Sequence, residues 1–245
     1  MPNAEALGFS SARLNRLDHF LKGKYVETGM FPGTLTLVSR KGKIVYSGMT
    51  GSMDMERGKP MREDAIFRIY SMTKPITAVA LMMLVEEGRI GLEDDVHMHI
   101  PQFKNLRVYA SGVPSLVENT AGQFITIPPK RRMKVVDLVT HTSGLTYGFM
   151  WGTSVDAEYR RQKVGDFQTP GGLDAFIEQL SNIPLDFSPG EYWNYSVSID
   201  VMGYLVQKLS GMTFGEFLRT RIFAPLGMKD TSFSVPADKI GRAHV

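Results

Sequence analysis

Cysteine is absent from all 245 residues of the chain. Its absence excludes disulfide bonds, zinc–thiolate sites and cysteine nucleophiles together. Any nucleophile or proton carrier in this protein is therefore an oxygen or nitrogen group.

Three further absences argue against a metal site, a nucleophile elbow and a membrane-spanning segment. No histidine pair has the H-E-x-x-H spacing of a zinc protease, and His97 and His99 lie only two positions apart, so we expect neither a metal nor a cofactor. No serine lies in a G-x-S-x-G sequence, which excludes the nucleophile elbow of α/β-hydrolases. No apolar stretch is long enough for a signal peptide or a membrane span, so we expect a cytoplasmic protein without a membrane partner.

A strong charge imbalance is also missing. The net charge is +3, and the densest basic group, at 130–134, is isolated. A nucleic-acid surface needs a basic stripe with groups that read or stack on bases. We therefore interpret this group as a solvated turn before a helix and expect no nucleic-acid partner. The 43% hydrophobic content allows one substantial core or two small ones.

The most informative feature that is present is the sequence SMTK at 71–74. Because positions i and i+3 share a helix face, the Lys74 amine can reach the Ser71 hydroxyl. A serine hydroxyl is a weak nucleophile unless a neighbour takes its proton, and the unpaired N–H groups of a helix start favour developing negative charge. Apolar residues at helical spacing follow the motif: Ile76, Val79, Ala80, Met83 and Leu84.

The S-x-x-K spacing by itself is weak evidence, because about one such match is expected by chance in a chain of this composition. Ser71 and Lys74 are either a nucleophile with its base, or an N-cap followed by a solvated residue of the first helical turn. The surrounding sequence has to decide between them.

Periodicity and turn residues predict the secondary structure. The pattern at 34–39 and 43–48 predicts a hairpin, 116–129 is predicted as a loop, and a strand is predicted to start at 232–235. The residues after Val235 resemble no docking helix, and 240–245 resembles one reading frame of a sequencing-library adaptor, so we expect an incomplete reading frame with a non-native tail. Helices are predicted over 10–27, 71–88, 133–140, 171–180 and 199–211, with another starting at Thr213.

Four ordered segments together resemble one family. They are FRIYSMTK at 67–74, LVTHTSGL at 138–145, PGEYWNYS at 189–196 and PLGM at 225–228. The chain resembles the serine β-lactamase and penicillin-binding-protein superfamily, specifically the class C β-lactamase-like enzymes called family VIII carboxylesterases. The resemblance extends from about residue 34 to 233.

The resemblance implies roles for particular residues. Ser71 is expected to be the acylated nucleophile, Lys74 its base or electrostatic partner, and Tyr195 the phenolic acid and base. The positive charge of Lys74 favours the phenolate form of Tyr195, so Lys74 and Tyr195 can exchange a proton near neutral pH. The alternative for Tyr195 is a packing aromatic. His141 belongs to a motif that is a structural turn in the family, so we do not expect it to form a Ser-His-Asp triad.

The chain departs from the family pattern in two places, one that bears on the substrate and one that bears on activity. Where the β-lactamases carry an asparagine two residues after the tyrosine, this chain has Val197, which favours an ester pocket over an efficient β-lactamase. Tyr147 is expected to line the cleft by analogy, with a packing role as the alternative.

The family's third motif, on a late strand that supplies an oxyanion-hole donor, is absent. Loss of one such donor costs about two to three orders of magnitude in turnover, so we expect the 245-residue chain itself to be poorly folded and nearly inactive.

The implied fold is α/β (α+β), with an antiparallel sheet flanked by helices, a mainly helical insertion and missing late strands. The predicted divisions are 1–91 for the first part of the α/β domain, 92–189 for the helical domain, 190–239 for the return with the tyrosine motif, and 240–245 for the tail. The expected function is hydrolysis of short-chain carboxylic esters. Three alternatives stay open: a cytoplasmic acyltransferase, a β-lactamase or D-amino-acid peptidase, and a non-catalytic binding module.

Overall fold

The computed structural model describes residues 4–113, 123–165 and 171–242. The chain divides into two compact units. The first comprises Met1–Tyr70 and Asp230–Val245, and the second comprises Ser71–Lys229. The predicted division at residues 91, 189 and 239 stays a prediction.

The first unit is built on an antiparallel hairpin. Strands β1 (Gly33–Arg40) and β2 (Lys43–Asp54) pair with a bulge at Val38/Ser39, and β3 (Lys59–Pro60) adds to β2. Lys41 and Gly42 both have positive φ, which is typical of a two-residue hairpin turn. The predicted hairpin is confirmed.

Helix α1 (Ser11–Leu21) precedes the hairpin and continues into a π-helical turn at Lys22–Val26. Ser10 caps it, because its hydroxyl accepts a hydrogen bond from the Arg13 amide. The small buried core of this unit consists of Ala4, Leu14, Val45 and Tyr46.

The strand predicted at 232–235 is wrong. These residues form bends, and a 3₁₀ helix at Ala237–Arg242 follows. Pro236 stops a strand here because proline cannot donate to a sheet ladder. Arg242 pairs with Asp230 and Asp64 of the same unit. Residues 243–245 of the predicted tail lie outside the described residues, and the non-native origin of that tail stays a prediction.

The core of the second unit is centred on two packed helices, α2 (Thr73–Glu86) and α6 (Ser198–Ser210). Both end near a glycine of positive φ, Gly88 and Gly211, as predicted. Of the apolar residues at helical spacing, Ala80 and Leu84 are buried and Val79 is exposed. The helix is apolar nearly all round, so periodicity alone does not select the face. Its buried residues are Thr77, Ala80, Leu81 and Leu84.

Short helices surround this pair, and those predicted at 133–140, 171–180 and Thr213 are confirmed within a few residues. Thr213 caps the last of them through the Glu216 amide, whereas the Glu216 carboxylate pairs with Arg219. None of the described helices combines the length and apolar composition that a bilayer crossing requires. The bounds are α3 (Val135–Val139), α4 (Ser154–Arg161), α5 (Gly172–Ser181) and α7 (Phe214–Leu218).

The predicted loop at 116–129 is wrong over residues 123–127. Strand β5 (Gln123–Ile127) pairs antiparallel with β4 (Val108–Val113) inside the segment predicted as mainly helical. The alternating, β-branched run of β5 is typical of a strand, but the two prolines that follow it obscured the pattern. Residues 116–122 lie outside the described residues.

Candidate active site

The start of α2 presents Ser71. The residue lies in a 3₁₀ turn, Tyr70–Met72, immediately before the helix, and Met72 occupies the N-cap position. Ser71 is therefore not the N-cap. Tyr70 has a φ of 42°, a left-handed conformation that is strained for a non-glycine residue and recurs at functional sites. Pro75 sits within the first turn, where it removes no intrahelical hydrogen bond.

Lys74 and Tyr195 converge on the Ser71 hydroxyl. Lys74 Nζ donates to Ser71 Oγ at 3.2 Å, and Ser71 Oγ lies 2.6 Å from Tyr195 Oη, within hydrogen-bond distance. Lys74 Nζ also lies 4.4 Å from the centre of the Tyr195 ring. The three residues predicted to be catalytic thus meet around one oxygen atom, and their catalytic roles stay predictions.

The electrostatic environment favours the phenolate form of Tyr195. Burial alone would raise the pKa of this phenol, but hydrogen bonds from Lys74 and Ser71, together with the Lys74 charge, lower it. A phenol with a lowered pKa is a better proton acceptor near neutral pH than an ordinary tyrosine.

Tyr195 is held by one loop lying on another. The segment 141–146, which contains the HTSGL sequence, accepts hydrogen bonds from residues of 190–197. The Asn194 amide donates to the His141 carbonyl at 2.9 Å, and the Val197 amide donates to the Thr146 carbonyl at 3.3 Å. These bonds fix the backbone on both sides of Tyr195.

A buried chain of polar side chains supports the same loop. The Ser196 amide donates to His141 Nδ1 at 3.2 Å, and the Ser196 hydroxyl lies 2.8 Å from the Ser198 hydroxyl. Ser198 in turn contacts the Ser143 hydroxyl at 2.7 Å. Burial, with the Lys74 charge, lowers the pKa of His141, so its ring stays neutral and accepts. His141 therefore positions the tyrosine loop, in agreement with the expected structural turn.

The basic group at 130–134 is not simply solvated. Arg131 makes two hydrogen bonds of 2.7 Å to the buried Asp137 carboxylate, which also accepts from the Lys134 amide and the Thr142 hydroxyl. Burial would raise the pKa of Asp137, but these bonds and the Arg131 charge lower it. The remaining basic residues pair with Glu191, Asp95 and Glu93. The group anchors the loop that carries His141.

The two residues predicted to bind substrate lie in different places. The Tyr147 ring packs 5.3 Å from the Tyr195 ring and stacks on Phe149 at 4.7 Å, whereas Val197 is fully buried in the core. The Trp193 ring also lies near Tyr195, with 6.5 Å between the ring centres. Phe149 and Trp193 are 61% and 67% exposed, so an aromatic row flanks the nucleophile with open ends. Substrate binding by Tyr147 and Val197 stays a prediction.

Sequence reasoning missed one charged residue of the site. Asp200 lies in the first turn of α6, five residues after Tyr195. Its charge interacts electrostatically with Lys74 and with the Tyr147 phenol. The one feature of the sequence that pointed to Asp200 is its position five residues after Tyr195. Within the described parts of the chain, no three histidine, aspartate or glutamate side chains are arranged to hold a metal ion.

Known proteins of one family are similar in sequence to this chain. The family model for Beta-lactamase matches residues 22–244. Esterase EstB of Burkholderia gladioli is 34% identical over 203 residues, covering 82% of this chain and 47% of that protein. Lovastatin esterase of Penicillium rubens is 29% identical over 211 residues, covering 85% and 50%. The chain spans about half the length of the curated relatives it matches.

Solved structures share the fold. EstCE1, described as a hydrolase with promiscuous acyltransferase activity, superposes with a TM-score of 0.78 at 24% identity, covering 95% of this chain and 56% of that one. Simvastatin synthase (LovD) of Aspergillus terreus has a TM-score of 0.74 at 25% identity, covering 94% and 56%. The predicted β-lactamase/transpeptidase-like fold is confirmed, and the chain belongs to the β-lactamase family.

Proposed function

We propose that the full-length protein is a serine hydrolase of carboxylic esters that works through an acyl-enzyme on Ser71. The observation that carries this proposal is the contact of Ser71 Oγ with both Lys74 Nζ and Tyr195 Oη. Relatives named as esterases support the choice of an ester as the small-molecule substrate.

Acylation begins with the Tyr195 phenolate. It takes the Ser71 proton while Oγ bonds to the ester carbonyl carbon and the carbonyl electron pair moves onto oxygen. Backbone N–H groups at the start of α2 favour that negative charge, and the Lys74 ammonium stabilises the phenolate before transfer. When the tetrahedral species collapses, the bond to the alkoxy group breaks and Tyr195 returns its proton to the leaving alcohol.

Deacylation uses the same groups in reverse. Tyr195 takes a proton from water as the water oxygen bonds to the acyl carbon. Ser71 Oγ then leaves, recovers a proton from Tyr195, and the carboxylic acid departs. One phenol thus serves as base and acid in each half-reaction, which is why its lowered pKa is important.

An acyltransferase is the second candidate. In that reaction an alcohol or amine replaces water as the acceptor at the same acyl-enzyme. The open ends of the aromatic row at Phe149 and Trp193 support it, since they leave room for a bulky apolar acceptor. Structural neighbours described as a synthase and as a hydrolase with promiscuous acyltransferase activity also support it. Product analysis with added alcohols distinguishes transfer from hydrolysis.

A β-lactamase or D-amino-acid peptidase fits less well, because Val197 replaces the amide expected to orient a lactam. Nitrocefin turnover tests it. A binding module with this fold would leave Ser71 unlabelled by a fluorophosphonate probe. The cytoplasmic location stays a prediction.

The test of ester hydrolysis uses the full-length protein and p-nitrophenyl butyrate. Ser71→Ala should lower kcat/KM by roughly a thousandfold or more, because no other group replaces the nucleophile. Ser181→Ala, at the end of α5, is the matched control and should keep parent-like turnover. Unchanged turnover in the Ser71 variant ends the proposal.

The 245-residue chain alone is the complementary test. We expect it to hydrolyse the same ester at least about a hundredfold more slowly than the full-length protein, because one oxyanion donor is expected beyond it. Equal turnover would refute that expectation without affecting the roles proposed for Ser71, Lys74 and Tyr195.

A further inference from the structure

The loop at 148–153, between Tyr147 and helix α4, exposes three consecutive apolar side chains. Phe149, Met150 and Trp151 are 61%, 40% and 75% exposed. A loop that only connects two elements is usually polar, and a run of exposed apolar residues is unfavourable in water unless it binds something. The composition of this loop therefore points to a ligand.

Helix α4 holds the loop at both ends. Near the start of the loop, Arg160 Nη1 donates to the Gly148 carbonyl and also to Asp156 Oδ1, the latter at 2.6 Å. At its end, Asp156 Oδ2 accepts hydrogen bonds from the Gly152 and Thr153 amides at 2.6 and 2.8 Å. Asp156 is fully buried, and a buried charge is stable only when it is paired. These bonds fix the backbone of the loop on α4.

Two further features show how closely the loop fits the helix. A Cβ atom on Gly148 would lie 3.1 Å from Arg160 Cγ, nearer than a side chain normally comes, so glycine allows this approach. Trp151 has a left-handed φ of 55°, and the Arg160 guanidinium carbon lies 3.9 Å from the centre of its ring. A strained non-glycine backbone persists only where its surroundings hold it, and such residues cluster at functional sites.

The loop is continuous with the nucleophile through a series of rings. Phe149 stacks on Tyr147 with only 18° between the ring planes, and Tyr147 packs against Tyr195. The Tyr195 hydroxyl in turn contacts Ser71 Oγ. Since Tyr147 covers one face of the Phe149 ring and most of that side chain is exposed, a substrate at Ser71 can place an apolar group against Phe149.

We propose that the loop at 148–153 binds a planar aromatic group of the ester, with Phe149 as the specificity-determining residue and Arg160 as a positioning residue that holds the loop. This inference rests on the proposed ester hydrolysis and extends it to a substrate class. The class is esters that carry a neutral aromatic ring in the acyl or the alcohol part.

The chemistry of the loop favours this occupant. Contacts between aromatic rings add to binding beyond the apolar area that they bury, and the flat Phe149 ring offers such a contact. The charge of Arg160 is balanced by Asp156, which favours a neutral ring over an anionic group. A protein segment lying on the loop is the alternative occupant. The ring series leads to the Ser71 hydroxyl, which favours the substrate.

The test compares three esters with the full-length protein. Ethyl butyrate has no ring, ethyl 4-phenylbutyrate has one in the acyl part, and benzyl butyrate has one in the alcohol part. Phe149→Leu keeps an apolar side chain without the ring and should raise KM for a ring-bearing ester about three- to tenfold relative to ethyl butyrate. The effect should lie in KM rather than kcat, because the contact is the same in the ground and transition states. The ester that responds identifies the part that the loop binds.

The role of Arg160 is tested by Arg160→Lys. Lysine keeps a charge opposite Asp156 but loses the planar group that bonds Gly148 and lies over Trp151. The relative KM of the same ester should rise about two- to fivefold. The double variant with Phe149→Leu should resemble Phe149→Leu alone, because both changes act on one ring contact.

Phe149→Tyr keeps a ring and should restore the parent KM ratio. Phe20→Leu, at an exposed position of the first unit, is the matched control and should behave like the parent. If Phe149→Leu does not fold, Phe149→Met provides the variant without a ring.

Equal KM changes for all three esters, or no change, would overturn the inference. A lowered melting temperature of Phe149→Leu with an unchanged KM ratio would also overturn it, since that result indicates a protein segment on the loop. Parent-like hydrolysis of ethyl butyrate by Ser71→Ala would instead refute the proposed function, so the two failures are distinguishable.

Discussion

The two sides of the site are built by different physical means. Ser71 and Lys74 lie three residues apart, and a single helical turn brings them together. Tyr195 lies 124 residues from Ser71 and depends on the loop at 190–197 resting against the segment 141–146. We call these the helix side and the loop side.

The difference shows where the site is vulnerable. On the helix side the geometry follows from backbone pitch, so substitutions should affect chemistry and leave folding intact. On the loop side the geometry follows from a buried polar network, in which an unpaired group costs free energy. Substitutions there should affect stability and turnover together.

The largest expected effect lies on the helix side. Lys74→Met should lower kcat/KM of the full-length protein by about 10²–10⁴-fold, because the Tyr195 phenolate loses its cationic partner. The melting temperature should change little. Lys104→Met, at an exposed position, is the control. A strongly lowered melting temperature would show that the helix side, like the loop side, depends on tertiary contacts.

The loop side should respond first in stability. Asp137→Asn should lower the free energy of unfolding by about 2–4 kcal/mol, because the buried carboxylate accepts four hydrogen bonds that an amide cannot all accept. Urea denaturation measures this. Glu93→Gln removes the exposed partner of Lys134 and should have little effect. A stable Asp137 variant would mean that the Arg131 pair does not anchor the loop.

A smaller loss is expected from Ser196→Ala. It leaves Ser198 and His141 each with one hydrogen-bond partner fewer, at a cost of about 1–3 kcal/mol. Because Tyr195 is the adjacent residue, kcat should fall more than KM changes. Steady-state kinetics together with thermal denaturation test this, and a destabilised variant with parent-like kcat would separate the polar chain from the tyrosine.

The lowered pKa of Tyr195 has a defined sign in the pH profile. The phenolate is the active form, so kcat/KM should rise with pH through this pKa, and the rise should be centred below the ordinary value of about 10. The limb should vanish in Tyr195→Phe. A limb centred at or above the ordinary value would show that Lys74 does not stabilise the phenolate.

The helix side could be predicted from the sequence better than the loop side, because its residues are close together in the chain. The period of α2 and its glycine cap are local signals, whereas its buried face depends on the neighbouring elements, which is why Val79 is exposed despite its helical spacing. Tyr195 was found only through resemblance to a family, since nothing local joins it to Ser71. Strand β5 was missed because two prolines follow it, and Asp200 because Lys74 and Tyr147 are distant from it in sequence.

The most direct measurement is mass spectrometry of the full-length protein quenched during turnover of a slowly hydrolysed ester. We expect an added acyl mass on the peptide that contains Ser71, accumulating further in variants that slow deacylation. We expect no such adduct in Ser71→Ala. Turnover accompanied by an acyl mass on another residue, or turnover retained in Ser71→Ala, would refute an acyl-enzyme on Ser71.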